Sequence, residues 1–128
     1  MDYYISRDVR LSYERAVERV TEELKKEGFG ILTEIDVKAT LKKKLDLDFR
    51  PYVILGACNP PLAHHALSIE DKIGTLLPCN VIVQQHPDGR VELAAMDPGV
   101  MAEVTGNAEL AELAREARER ITRALNAV

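Results

Sequence analysis

Two short stretches hold most of the side chains able to do chemistry. Gly56-Ala57-Cys58-Asn59-Pro60-Pro61 closes one apolar run, and Leu76-Leu77-Pro78-Cys79-Asn80 opens another. Both cysteines of the chain precede an asparagine, and each falls where a strand is expected to meet a turn. Thiols could supply a nucleophile, a redox pair or soft metal ligands, and a thiol beside a helix N-terminus gains thiolate character. Amides could orient a ligand. The candidate site is therefore Cys58, Asn59, Pro60, Pro78, Cys79 and Asn80, joined by His65 and Asp97. If the strand ending at Cys58 and the strand beginning near Cys79 are antiparallel neighbours, the two corners share one end of the sheet. If a crossover makes them parallel, the corners lie at opposite ends. The plain structural alternative is that small cysteines pack strand ends while Asn59 and Asn80 cap turns.

Other reactive types carry weaker signals. His64 and His65 are adjacent, so on a helix they point about 100° apart and cannot share a ligand. His65 borders the apolar stripe of Leu62, Ala66 and Ile69, while His86 ends a strand. Two cysteines and one histidine at irregular spacing fall short of a zinc signature, so no metal and no cofactor is expected. Glu34 and Asp36 share the polar face of a strand and could supply acid–base chemistry, but a solvent-facing strand edge is the favoured reading. Asp97 precedes Pro98 and reads as a turn residue at a strand end, able to line a cleft. Gly28 and Gly30 precede a strand rather than open a helix, so they form no dinucleotide loop. Ser6, Ser12 and Ser68 lack the context of a nucleophile elbow.

The elements that position these residues follow from periodicity. A loose alternation over 2–9 predicts a peripheral strand. Ser12 is a helix N-cap, followed by a stripe of Tyr13, Val17, Val20 and Leu24, with Gly28 at the left-handed C-terminal position. Phe29, Ile31, Thr33, Ile35 and Val37 predict a half-buried strand, and 38–45 a short helix. Residues 52–58 are apolar on both faces, as in an interior strand. Asn59 followed by Pro60 is good chemistry for starting a helix to about residue 70. Strands over 80–86 and 90–96 flank Pro87-Asp88-Gly89, a hairpin turn. Residues 100–106 are either a short strand or a loop. Leu110, Leu113, Ala114, Ala117, Ile121, Ala124 and Leu125 mark a final helix over 107–126.

The stretch from Phe29 to Leu45, then Ile54-Leu-Gly-Ala-Cys-Asn-Pro60, Leu62-Ala63 and Leu77-Pro-Cys-Asn-Val-Ile-Val83, resembles the domain of unknown function 302 family. The resemblance spans nearly the whole chain. It implies an α+β fold similar in topology to the TATA-binding-protein half-repeat, and a bacterial or archaeal setting. It implies no activity, and a shared topology does not carry DNA binding with it.

Composition narrows the partners. The 128 residues suit one domain over 1–128 with its own core. Charged residues make up 30% and the formal net charge is −4, so the surplus of lysine and arginine that phosphates require is missing. Lys42-Lys43-Lys44, the sole basic cluster, reads as a solvated helix face. No apolar run is long enough to span a bilayer, and the first residues lack the pattern of a secretory leader, so the expected setting is cytoplasmic, where thiols stay reduced. The order β-α-β-α-β-α-β-β-α predicts an α+β two-layer sandwich, a largely antiparallel sheet with helices on one face. The expected role is a small-ligand or partner-binding module with a pocket near the two Cys-Asn corners. The alternatives are a thiol-based redox or metal-responsive protein using Cys58 and Cys79, and a structural homodimer joined through strand edges or the final helix.

Overall fold

The computed structural model describes residues 2–128. Five strands, β1 (Tyr4–Val9), β2 (Gly30–Asp36), β3 (Tyr52–Cys58), β4 (Cys79–Gln85) and β5 (Val91–Met96), form one sheet in the order β1-β5-β4-β3-β2, antiparallel at every step. The helices are α1 (Tyr13–Lys26), α2 (Val37–Leu45), α3 (Pro60–Ile69), α4 (Gly99–Thr105) and α5 (Ala111–Asn126). The expected α+β sandwich is present.

Alternation along the strands divides the sheet into two faces. Val53, Leu55 and Ala57 of β3, Cys79, Val81 and Val83 of β4, and Val91, Leu93 and Ala95 of β5 are all buried on one face. There they meet Ala16, Val20 and Leu24 of α1 and the stripe of α5, from Leu113 to Leu125. Each valine, leucine or isoleucine removed from water there contributes roughly 1.5–3 kcal/mol, and the alanines less.

Local chemistry sets the ends of the elements. The Ser12 hydroxyl accepts from the Arg15 N–H at 3.1 Å, and Gly28 (φ 86°) ends α1 with Phe29 N–H donating back to the Leu24 carbonyl at 2.9 Å. A Cβ at position 28 would lie 2.9 Å from Asn59 Nδ2, so that corner needs glycine twice over. Asp36 caps α2 through the Ala39 N–H at 2.9 Å, which commits one of its oxygens to structure.

Three details differ from expectation. β2 is an edge strand with an irregularity between Ile31 and Thr33. It leaves Leu32 68% and Ile35 48% exposed rather than half-buried. The extra residue of the bulge breaks the two-residue period on which the alternation rested. Residues 99–105 form α4, neither strand nor loop, because Asp97 Oδ1 accepts from the Gly99 N–H at 2.9 Å and starts a helical turn. The final helix begins at Ala111, after a 3-10 turn over Ala108–Leu110.

At the centre of the sheet Gly56 lets Thr33 and Pro78 close over β3. A Cβ there would overlap Thr33 Oγ1 and lie 2.9 Å from Pro78 Cγ, whereas a Cβ at Gly30 would meet nothing within 4 Å. Gly56→Ala is expected to lower stability by roughly 1–3 kcal/mol, while Gly30→Ala stays close to neutral. Urea denaturation of the two variants checks the difference.

Candidate functional site

The pairing of β3 with β4 brings the two Cys-Asn corners to one end of the sheet. Ala57 stands opposite Cys79 in the antiparallel register, and Cys58 follows Ala57 directly. On its other side Cys58 pairs with Gly30 of β2. β3 stops because Asn59 turns the chain. Its Oδ1 accepts from the Leu62 N–H at 3.3 Å, and Pro60 takes the first position of α3, where a missing N–H costs nothing. Asn59 Nδ2 also donates to the Glu27 carbonyl at 3.4 Å, which receives Arg120 Nη1 at 3.2 Å as well. The end of α1, the start of α3 and the middle of α5 are thus tied at one carbonyl.

Between these corners and the helices lies a cavity of about 380 Å³. Cys58 and Cys79 both line it, as do Leu62, Ala63 and Ala66 of α3 and Leu113 and Ala117 of α5. Phe29, Leu77 and Pro78 complete the apolar wall. Among the described residues no charged side chain lines it; its polar side chains are those of Thr33, Asn59 and the two cysteines. Since Asn59 has committed both ends of its amide, Thr33 and Cys58 are the groups left for a ligand.

The remaining candidates lie elsewhere. Asn80 follows Cys79 in a strand, so its side chain is exposed on the opposite face of the sheet, and the two asparagine amides do not converge. His65 is exposed on α3 and does not line the cavity; only its carbonyl is engaged, by the Ser68 hydroxyl at 2.7 Å. Asp97 is buried, but its carboxylate holds the start of α4 and pairs with Arg118 Nε of α5 at 3.1 Å. It joins two helices and lines no cleft. Among the described residues, no three His, Cys, Asp or Glu side chains are grouped to hold a metal ion.

Several lining residues escaped the sequence reading, among them Thr33, Phe29 and Met101. Phe29 and Thr33 were legible only as members of a strand face. The spacing of α5 marked Leu113 and Ala117 as core, and nothing in a linear pattern shows that Ala63, Ala66 and Ala117 together are too small to fill the space between them.

Burial governs the thiol chemistry. It pushes the Cys79 thiol up from an ordinary value near 9 to about 11, with the nearby Cys58 adding to the rise. Tyr13 is pushed up to about 12 by burial first, then by Asp36, Glu34 and Glu14.

An antiparallel five-stranded sheet backed by helices, with an apolar recess at one sheet end, defines the molecule as an α+β sandwich domain. The domain of unknown function DUF302 matches residues 5–128, and the chain belongs to that family. A crystal structure of an uncharacterized conserved DUF302 protein from Bacillus stearothermophilus superposes with a TM-score of 0.92 at 31% identity, over 99% of this chain and 98% of the other. No curated protein matches the chain.

Between its ordinary value and about 11, the unfolded chain releases the Cys79 proton while the folded chain keeps it. Stability therefore falls as pH rises through that window, with Tyr13 adding a later loss between 10 and about 12. From about pH 8 to about pH 10.5, Cys79→Ala is expected to reduce the loss by on the order of 2 kcal/mol. Urea midpoints at the two pH values report it; equal losses in variant and parent would contradict the burial of a neutral thiol.

Proposed function

We propose that this domain binds a small, uncharged, apolar molecule in the cavity between α3, α5 and the Cys58–Cys79 corners. The observation that carries the reading is the lining: about 380 Å³ of space with no charged side chain lining it among the described residues. That volume falls within the range of small-molecule sites. A carboxylate or phosphate would enter without a counter-charge, and desolvating it would cost several kcal/mol. A hydrocarbon or aromatic body carrying one hydroxyl or carbonyl toward Thr33 and Cys58 meets every wall with its own kind. At roughly −0.4 kcal/mol per heavy atom, a ligand of about 15 atoms would bind with about −6 kcal/mol, in the tens of micromolar.

The redox alternative draws less support. A thiol held neutral to about pH 11 is a poor nucleophile at physiological pH, so Cys79 is better suited to packing than to exchange. The dimer alternative rests on β2, an unpaired sheet edge whose Leu32 and Ile35 are exposed.

Titration with N-phenyl-1-naphthylamine, a neutral probe that fluoresces in apolar surroundings, tests the reading. The parent is expected to bind in the micromolar range. Ala63→Phe, which fills the cavity from a half-buried position of α3, is expected to weaken binding at least tenfold while the domain still melts cooperatively. Absence of probe binding by the parent, or unchanged affinity in the variant, would count against the cavity as the site.

A further inference from the structure

The face of the sheet turned away from α1 and α5 carries a second recess, of about 510 Å³, with different chemistry. Register lays out its plan. Asp8, Glu92, Gln84 and Tyr52 stand side by side across β1, β5, β4 and β3. Ser6, Ala94, Ile82 and Ile54 form the next row. Tyr4 pairs with Met96 in the row beyond, at the end of β4 where Asn80 begins the face. Glu92 and Met96 are four residues apart on one strand, about 13 Å. The result is a trough with an apolar floor, Ala94 and Ile82, between a bank carrying Glu92 and a bank carrying Asn80.

Glu92 is held in place rather than left loose. Its Oε1 accepts from Gln84 Nε2 at 3.1 Å and lies 2.9 Å from His86 Nε2. Gln84, only 8% exposed, is itself fixed by Arg50 Nε at 2.8 Å. The second oxygen, Oε2, has no hydrogen-bond partner among the described residues, nor has the Asn80 amide. Among the described residues Glu92 is the one charged side chain lining the recess, and Tyr3, Tyr4 and Tyr52 flank it. The nearby charges are otherwise occupied: Arg50 packs on Phe49 and Tyr52 behind Gln84, and Asp8 is paired with Arg90 at 3.2 Å.

From this arrangement we infer that the recess binds a small organic cation of the alkylammonium class. Its N–H groups donate to Glu92 Oε2, and its alkyl part lies along Ala94 and Ile82, toward the Asn80 bank, among the tyrosine rings. A charge-assisted hydrogen bond is about twice as strong as a neutral one, and aromatic faces add attraction for a cation. Anions are disfavoured by the same carboxylate. The site is separate from the apolar cavity, since adjacent residues Cys79 and Asn80 face opposite sides of the sheet.

Amide chemical shifts of the full chain, titrated separately with n-butylammonium, n-butanol and butyrate, test the inference. n-Butylammonium is expected to shift Glu92, Ala94 and Ile82 with a dissociation constant on the order of 1 mM, and the neutral and anionic analogues to bind at least tenfold more weakly. Glu92→Gln, which preserves shape, is expected to cost about tenfold in affinity for the cation, while Asp8→Asn leaves affinity unchanged. Any one of three results would overturn the inference: no shifts at tens of millimolar ammonium, equal binding of butanol, or full affinity in Glu92→Gln. Sedimentation showing a dimer that protects these same amides would overturn it as well, by assigning the face to a second copy.

Discussion

The antiparallel pairing of β3 with β4 is the constraint on which the rest of the molecule depends. Twenty residues separate Cys58 from Cys79, and the register that sets Ala57 opposite Cys79 folds that span into α3 and a 3-10 turn packed at one sheet end. A shift of one residue would exchange the faces of β4 and place Val81 and Val83 in water. Their burial, with that of Val53 and Leu55 across the strand boundary, specifies the register and so the position of the recess.

The same alternation gives the sheet two characters. Toward α1 and α5 the central strands β3, β4 and β5 present a largely apolar surface, and the space left near α3 arises because alanines stand at 63, 66 and 117 where larger side chains would close it. Toward the other face the rows mix Glu92, Gln84 and Asn80 with Ala94 and Ile82. Core packing and surface recognition are therefore read from alternate residues of the same strands. The helix junction at Glu27, joined by Asn59 and Arg120 through its carbonyl and by Arg123 through its carboxylate, fixes α3 against this frame.

Much of the fold was legible because local chemistry and tertiary structure agree. Ser12, Gly28, Asn59 and Pro60 each behave as their types dictate, and the periods of α1 and α5 mark their buried faces. The site was legible in part. The two cysteines expected at strand corners both line the recess beside α3, whereas Asn80, His65 and Asp97 do not line it. Strand alternation sends Asn80 to the far face, and Asp97 is consumed by a helix start and an ion pair. The bulge in β2 left no trace in composition, since Leu32 and Thr33 suit any strand. Glu92 and His86 meet only through the turn at 87–89, where Gly89 adopts φ 91°. Volumes left by small residues, and polar chains assembled across strands, are properties of the packed molecule and have no linear pattern.

Xenon enters dry cavities and ignores charged or hydrated surfaces, so its effect on methyl resonances tests the apolar recess most directly. Under xenon pressure, the methyl signals of Leu62, Ala63, Ala66 and Leu113 are expected to shift together and saturably, with those of the far sheet face unmoved. Shifts scattered over the surface, or none at the α3–α5 junction, would contradict a preformed apolar site between the two cysteine corners.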